Sequence, residues 1–321
     1  MTSRLGGARV ELVTRGIRLV EVRMAVYLDH AATSPMPEQV LTAYTDALRL
    51  VGNPASVHGP GQVAREMLET GREAIAASLG VDPVEVILTG GGTESVNLGI
   101  KGLYWARAPR KRIIVPHGEN HATIDAVEWL ATHEGAVLDW VELDEHGRIR
   151  LDALAAALAR GGDDVALVTA LWASNEVGTI QPVERIVELA RAYGVPVHLD
   201  AVAAYGQVPL DVHAVGADAV SVSAHKIGGP VGIAALTLSR TAKVEALLHG
   251  GDQQRGRSGT QDAAGAVAFG VAASKAVAEL PLRRVASLRD RLVDGVLSTI
   301  EGAVLRGDPS DGLPGVQGIG E

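Results

Sequence analysis

Lys226 has the most distinctive surroundings of any reactive side chain in this sequence. It lies in Ser223-Ala224-His225-Lys226, directly after an apolar run that predicts a strand, and Gly228-Gly229-Pro230 follows. Lysine is mostly a surface residue, but a desolvated lysine has a lowered pKa and can form a Schiff base. Taken alone, Lys226 is more simply interpreted as a surface lysine.

A glycine turn provides a second candidate site. In Thr89-Gly90-Gly91-Gly92-Thr93-Glu94-Ser95, a predicted strand leads through glycines into a helix. The N–H groups and the dipole at a helix start favour an anion, so a phosphate fits here, with Thr93 as a further donor. The spacing matches neither a P-loop nor a complete dinucleotide fingerprint. An ordinary strand-to-helix turn with Thr93 as N-cap explains the motif equally well.

Asp200 follows a third predicted strand, in His198-Leu199-Asp200. An acid at the carboxyl end of a parallel strand lies where α/β sheets bind ligands, although it also suits a helix N-cap. A phosphate turn, an acid and a lysine at strand ends are the groups that pyridoxal 5'-phosphate requires. They would hold its phosphate, pair with its pyridine nitrogen and form its imine.

A sheet must position these residues, and the hydrophobic pattern predicts one. We predict strands over 84–88, 113–115, 165–171, 195–199, 219–222 and 233–238, and helices over 96–105, 122–132 and 182–193. Alternating strands and helices indicate an α/β fold with a mainly parallel sheet and helices on both sides. Beyond Gln261 the pattern is helical to about Ile300. Residues 302–321 are glycine-rich and are predicted to end without a folded element.

The length of 321 residues favours about two domains. We predict an N-terminal extension over 1–23, a large cofactor-binding α/β domain over 24–262, and the helical start of a small domain over 263–321. A clear sequence pattern begins directly after Met24, with Ala25-Val26-Tyr27-Leu28-Asp29. This favours Met24 as the residue at which translation starts.

Composition narrows the classes of function. Lysine and arginine total 29 against 38 acids, a net charge of -9, and aromatic residues make up 3%, which argues against a nucleic-acid binder. No apolar run of membrane-spanning length is present, so we expect a cytoplasmic protein. The sequence has no cysteine, which excludes disulfides, thiolate metal sites and a cysteine nucleophile within it.

From Tyr27 to about Pro314 the sequence resembles the cysteine desulfurases, in the class V aminotransferase group of fold-type I pyridoxal-phosphate enzymes. The stretches that carry the resemblance, in family order, are Tyr27-Leu28-Asp29-His30-Ala31-Ala32-Thr33, Gly52-Asn53-Pro54-Ala55-Ser56-Val57-His58, Gly91-Gly92-Thr93-Glu94-Ser95, Asn175-Glu176-Val177-Gly178, Ser223-Ala224-His225-Lys226 and Arg257-Ser258-Gly259-Thr260. The resemblance implies a fold-type I architecture with a seven-stranded type of sheet and, here, an incomplete small C-terminal domain.

The resemblance also implies a reaction and partners. L-cysteine, or a similar amino acid, would become L-alanine, and its sulfur would pass to an enzyme cysteine as a persulfide for iron–sulfur cluster assembly or tRNA thiolation. A homodimer and a sulfur-acceptor scaffold protein are the implied partners.

The resemblance also implies a role for each residue that matches a functional position of the family. Lys226 would bind the cofactor and move protons, Asp200 would keep the pyridine nitrogen protonated, and Asn175 would lie near the ring hydroxyl and the substrate carboxylate. The residues implied to bind the phosphate are Gly92, Thr93, Ser223 and His225, with Thr260 from a dimer partner.

The sequence departs from the family at four places. The histidine that stacks on the cofactor is replaced by Asn120, and His121, one position later, is the candidate to contact the cofactor instead. A glutamine is replaced by Ala203, and the loop over 249–260 is one residue short. The persulfide cysteine and the carboxylate-binding arginine of the family would lie beyond residue 321. We therefore expect a truncation or frameshift near residue 315 and impaired activity.

Other functions stay open at this point. Another class V reaction, such as that of a selenocysteine lyase or an aminotransferase, would not need the cysteine, and a non-catalytic remnant would keep the fold without turnover. A metal site at His117 and His121 is disfavoured because Pro116 and Gly118 oppose a helix there. A nicotinamide enzyme with Glu119 as ribose acid is disfavoured by the glycine spacing.

Overall fold

A seven-stranded sheet forms the centre of the computed structural model, which describes residues 26–161 and 163–320. In chain order, the strands are β1 (Val86–Thr89), β2 (Arg112–Pro116), β3 (Val137–Val141), β4 (Val165–Leu171), β5 (Val197–Asp200), β6 (Ala219–Ser223) and β7 (Ala234–Leu238). Their order across the sheet is β1-β7-β6-β5-β4-β2-β3, and β7 alone runs opposite to the others. The prediction of an α/β fold with a mainly parallel sheet is confirmed.

Nine α-helices lie within the described residues. They are α1 (Glu38–Leu48), α2 (Gly59–Leu79), α3 (Gly92–Ala106), α4 (His121–Glu134), α5 (Leu151–Gly161), α6 (Val183–Ala192), α7 (Val212–Val215), α8 (Ala263–Ala278) and α9 (Arg283–Thr299). The predicted extension over 1–23 and the predicted start at Met24 lie outside the part of the chain that the structure describes.

Alternating side chains of the strands divide the core between the two faces of the sheet. Ile113 packs with α3 and α4 in one apolar cluster, whereas its neighbour Ile114 belongs to another cluster, which includes α5 and α6. This follows from the period of two in a strand. All seven residues of β4 are buried, as the predicted apolar run over 165–171 requires of a strand covered on both faces.

Helix α8 packs closely against α1 and α2 through small residues. A Cβ added at Gly71 would lie 2.4 Å from the backbone of Ala266, and one at Gly270 would lie 3.0 Å from the carbonyl oxygen of Gly71. In α9, by contrast, Val293 is the one buried residue. The predicted domain boundary after residue 262 stays a prediction.

No single described helix has both the length and the apolar composition to cross a bilayer. Helices α8 and α9 meet the criterion only as a pair bent by 72°. Nine residues of α8 are buried inside the protein, as expected of a core helix.

The prediction that residues 302–321 end without a folded element is wrong. Strands β8 (Val304–Arg306) and β9 (Gly318–Gly320) pair antiparallel. Leu313 and Val316, in the chain between them, belong to the main apolar core. Leu313 is fully buried, and its N–H donates to the carbonyl of Gly178 at 2.8 Å. Contacts with residues distant in sequence therefore hold this glycine-rich segment in place. The hydrophobic pattern of the segment itself gave no indication of them.

Candidate active site

The carboxyl ends of the parallel strands meet at a cavity of about 510 Å³. The predicted site residues that line it are Gly92, Thr93, Asn175, Asp200, His225 and Lys226. A larger cavity of about 770 Å³ opens beside Asp218 and Arg240, at the other end of the sheet, and no predicted site residue lines it. We locate the candidate active site at the smaller cavity, because ligands of α/β proteins bind beyond the carboxyl ends of the strands.

Lys226 lies on a short 3-10 turn, Ala224–Ile227, that leaves the end of β6. Gly228 ends this turn with a φ of 79°, and a Cβ there would lie 2.8 Å from Pro37. The Lys226 ammonium donates to the carbonyl oxygen of Ala31 at 2.5 Å. Burial lowers the pKa of Lys226, opposed by the negative charges of Asp200 and Asp29.

Asp200 is the last residue of β5 and is 4% exposed. Its carboxylate accepts a hydrogen bond from the N–H of Val202 at 3.0 Å. Burial raises the pKa of Asp200 to about 6, and both that hydrogen bond and the positive charge of Lys226 lower it. The carboxyl is thus buried, mostly ionised at neutral pH and electrostatically coupled to the lysine.

The glycine turn leads directly into α3, whose N-cap is Gly91. The alternative with Thr93 as N-cap is therefore wrong: α3 already includes Gly92. A Cβ at Gly92 would lie 3.2 Å from the Val202 side chain and 3.4 Å from Cβ of Ser223, so a larger residue would crowd the cavity wall. The first N–H groups of such a helix have no partners within the helix and are free to bind an anion.

Ser223 provides an independent indication of an anion at this turn. The residue is fully buried next to Gly92, and its hydroxyl oxygen has no hydrogen-bond partner among the described residues. Buried hydroxyls are nearly always hydrogen-bonded, so an unpaired one indicates a missing partner. A phosphate at the start of α3 would supply that partner, and the residues present therefore fit pyridoxal phosphate.

His225 also contributes to the cavity wall. Its Nδ1 atom lies 3.3 Å from the hydroxyl of Thr33. Burial and the charge of Lys226 lower the pKa of His225, so its imidazole is neutral at pH 7. It is available there as a hydrogen-bond donor through one ring nitrogen.

Asn120, rather than His121, faces the cavity. The Asn120 side chain caps α4 by accepting from the N–H of Ala122 at 3.0 Å, and its amide nitrogen donates to Asn175 Oδ1 at 3.3 Å. Asn175 in turn donates to Glu176 at 2.7 Å. His121 is the exposed first residue of α4 and is not among the residues that line the cavity.

Thr260 also lies outside the cavity of its own chain. It is exposed at the end of the loop over 249–260. A role at a cofactor site would therefore require a second copy of the chain, as the family resemblance implies. Ala203 does line the cavity, at the position of the missing glutamine.

Glu119 is a buried carboxyl group next to the cavity that the sequence pattern did not identify as a site residue. It follows β2, is 8% exposed and accepts from the N–H of Leu171 at 2.8 Å. Burial, together with the charge of Asp200, raises the pKa of Glu119 to about 8. Its place in Gly118-Glu119-Asn120, just after a strand, is a signal that could have identified it.

The metal alternative finds no support in the described part of the chain. No group of three or more histidine or acidic side chains lies close enough there to hold an ion. His117 instead stacks on Trp140, with ring centroids 5.2 Å apart.

Comparison with known proteins assigns the family. The model of the aminotransferase class-V family matches residues 26–306. The chain belongs to this family. It is 48% identical over 288 residues to the IscS-like cysteine desulfurase of Mycobacterium tuberculosis, a match that covers 88% of this chain and 73% of the relative.

Solved structures agree with this assignment. A NifS-like protein superposes with a TM-score of 0.85 at 34% identity, over 91% of this chain and 80% of that one. A structure of SspA in complex with cysteine superposes with a TM-score of 0.73 at 32% identity, over 77% and 72%. The resemblance to cysteine desulfurases and the fold-type I architecture inferred from the sequence are both confirmed.

Proposed function

We propose that this class V aminotransferase family member binds pyridoxal 5'-phosphate and acts on L-cysteine, as a cysteine desulfurase does. One observation carries the proposal: Lys226, Asp200 and the turn at Gly92 line one cavity, beside the unpaired Ser223 hydroxyl. When bound, this cofactor supplies an electron sink for the carbanion formed next to an amino group.

Each residue then has a defined task. The N–H groups of Gly92 and Thr93 and the side chains of Thr93, Ser223 and His225 would hold the phosphate. Asp200, ionised near neutral pH, would pair with the protonated pyridine nitrogen, and burial strengthens that pairing. These contacts would hold the cofactor in the cavity at the end of β5.

Lys226 is the proposed attachment point and proton carrier. Burial lowers the pKa of its Nζ atom, which increases the neutral fraction able to attack a carbonyl carbon. With an amino-acid substrate in the cavity, Nζ of Lys226 would serve as the base that accepts the proton from the substrate Cα. Asn175 would orient the substrate carboxylate, since it lines the same cavity.

Sulfur transfer in a cysteine desulfurase requires a cysteine that accepts the sulfur, and substrate binding requires an arginine for the carboxylate. The sequence contains no cysteine, and no arginine is among the described residues that line the cavity. We therefore propose that the sulfur of cysteine passes to a thiol that lies outside residues 1–321. These two observations also favour a second candidate, a protein that binds the cofactor without turnover.

The remaining assignments are proposals of the same kind. The relative SspA, solved in complex with cysteine, supports an amino acid of this type as substrate. Exposed Thr260 supports a homodimer in which each copy completes the phosphate site of the other. A sulfur-acceptor scaffold, a cytoplasmic location, and a contact between His121 and the cofactor stay predictions.

Borohydride trapping tests the proposal. The purified chain is mixed with pyridoxal phosphate, reduced and digested, and the pyridoxyl group is located by mass spectrometry. We expect labelling of the peptide that contains Lys226 in the wild type and in Lys243→Ala, a variant of an exposed lysine, and no such label in Lys226→Ala. Labelling spread over surface lysines without preference for Lys226 would refute cofactor binding.

Turnover is tested separately. Alanine formation from L-cysteine is measured with and without dithiothreitol, in the wild type and in Lys226→Ala. Alanine that requires both the thiol and Lys226 supports the desulfurase proposal. A labelled Lys226 with no alanine under either condition supports the second candidate.

A further inference from the structure

The turn proposed to bind phosphate is held from outside by a loop that does not line the cavity. This buttress loop comprises residues 249–260 and contacts the turn at two places. The side-chain amide of Gln254 bonds both backbone groups of Leu88, accepting from its N–H at 2.8 Å and donating to its carbonyl at 2.9 Å. Leu88 immediately precedes the first residue of the turn, Thr89, so Gln254 fixes the point from which the turn starts.

The second contact is an ion pair. Arg257 Nε lies 2.9 Å from Glu94 Oε1, and the two side chains are 18% and 24% exposed. Glu94 belongs to the first turn of α3, and its other oxygen accepts from the N–H of Gly90 at 2.7 Å. The pair thus connects the buttress loop to the turn itself.

The ion pair also affects how strongly the start of α3 attracts an anion, because Glu94 is negatively charged. A carboxylate in the first turn of a helix interacts well with the helix dipole, but it repels an anion that binds at the same helix start. The guanidinium of Arg257 compensates that charge while leaving Glu94 free to hold Gly90. A largely buried pair of this kind is screened less by salt than a surface pair.

We propose that Arg257 is a positioning residue for the cofactor phosphate: it neutralises Glu94 and fixes the glycine turn without touching the ligand. This inference rests on the proposed function, because it assumes a phosphate-bearing ligand at the turn. It predicts that the loss of Arg257 weakens recognition of the phosphate specifically, and that removing the charge of Glu94 reverses most of that loss.

The experiment compares pyridoxal phosphate with pyridoxal, which carries the same aldehyde but no phosphate. Dissociation constants are measured from the change in absorbance of each compound on binding. We expect Arg257→Gln to weaken pyridoxal phosphate about tenfold and pyridoxal hardly at all, because the unbalanced carboxylate acts on the phosphate charge. Arg257→Lys should restore most of the affinity, and the double variant Arg257→Gln/Glu94→Gln should also recover it.

Arg240→Gln is the matched control. Arg240 pairs with Asp82 at 2.6 Å at the opposite end of β1 and β7, so its loss removes an ion pair far from the turn. Affinities for both compounds should then stay at the wild-type values. Thermal unfolding of every variant verifies that the fold is retained.

Two results would overturn the inference. Equal weakening of both compounds by Arg257→Gln would mean general damage to the site, and no weakening would mean that the pair is irrelevant to the phosphate. If Arg257→Gln does not fold, Glu94→Gln alone decides: unchanged or tighter binding of pyridoxal phosphate supports the inference, and weaker binding refutes it. Failure of the wild type to label Lys226 would instead refute the proposed function.

Discussion

Glu119 and Asp200 are two neighbouring buried carboxyl groups that together carry one charge near neutral pH. Leu171, whose N–H donates to Glu119, is the register partner of Asp200 in the neighbouring strand. The pKa of Glu119 is raised to about 8 by burial and by the charge of Asp200, whereas that of Asp200 is about 6. Glu119 therefore keeps its proton at pH 7, and Asp200 supplies the negative charge.

The proton on Glu119 predicts a pH-dependent effect of Glu119→Gln on stability. Between the unfolded pKa of 4.5 and the folded pKa of about 8, the folded wild type binds a proton that the unfolded chain has lost. The free energy of unfolding of the wild type therefore falls as pH rises through this window. Glutamine does not ionise, so its side chain causes no such fall. The free energy of unfolding of Glu119→Gln relative to that of the wild type should therefore rise from about pH 5 to about pH 8 and then level off. Urea unfolding across this range measures it.

The exposed residue Glu301 provides the control for this prediction. Glu301→Gln should show a constant difference from the wild type over the same pH range. A constant difference for Glu119→Gln as well would show that Glu119 titrates normally in the folded protein.

Gly99→Ala should destabilise the protein although alanine is the better helix former. A Cβ at Gly99 would lie 2.5 Å from the ring of His198. That ring is fully buried and held at both nitrogens, by Thr169 and Ser221 at 2.9 Å each, so it has no room to move. We expect a loss of about 1–3 kcal/mol in the free energy of unfolding.

Gly295→Ala is the counterpart. Gly295 lies within α9, and apart from its own helix backbone no described residue comes within 4 Å of a Cβ added there. This change should stabilise by about 0.5–1 kcal/mol. Urea unfolding of each variant measures the change in the free energy of unfolding. A stabilising Gly99→Ala would contradict the packing described for His198.

Ser223→Ala should separate stability from cofactor affinity. The Ser223 hydroxyl has no hydrogen-bond partner among the described residues, so its removal should leave the stability of the cofactor-free protein unchanged or raised. Affinity for pyridoxal phosphate should fall about tenfold, the effect of losing one hydrogen bond to a charged group. Ser221→Ala should instead lower stability, because it removes a partner of His198. A destabilised Ser223→Ala with unchanged affinity would mean that Ser223 has no role in binding phosphate.

Leu313→Ala tests whether the segment after α9 belongs to the folded core. Leu313 is fully buried, and removing such a side chain costs about 2–5 kcal/mol. Ile319, in β9, is 38% exposed, so Ile319→Ala should have a much smaller effect. Similar small losses for both variants, measured by urea unfolding, would indicate that the segment is only loosely attached.

Strands of the large sheet could be predicted where the hydrophobic pattern of the strand matches its burial in the folded protein. The apolar run of β4 matches a strand covered on both faces, and Lys226 and Asp200 each follow such a strand. Strand β3 was not predicted: it contains Asp139 and is only partly buried, and its strand conformation depends on pairing with β2. Local pattern likewise contains no signal for the segment around Leu313.

Parts of the site depend on contacts between distant residues and could not be predicted. Glu94 and Arg257 are separated by 163 positions, and Asn120 and Asn175 by 55. Neither contact has a spacing that a helix or strand would impose. The sequence could therefore indicate which groups surround the cavity, but not which of them bind one another.

The contact between Gln254 and Leu88 also determines how the sheet meets its surroundings. β1 is an edge strand, and an edge with free N–H and carbonyl groups is a template for the addition of a foreign strand. Gln254 binds both groups of Leu88, and Arg72 donates to the carbonyl of Val86. This edge is consequently closed to intermolecular β-pairing, and copies of the protein that associate must do so through other surfaces.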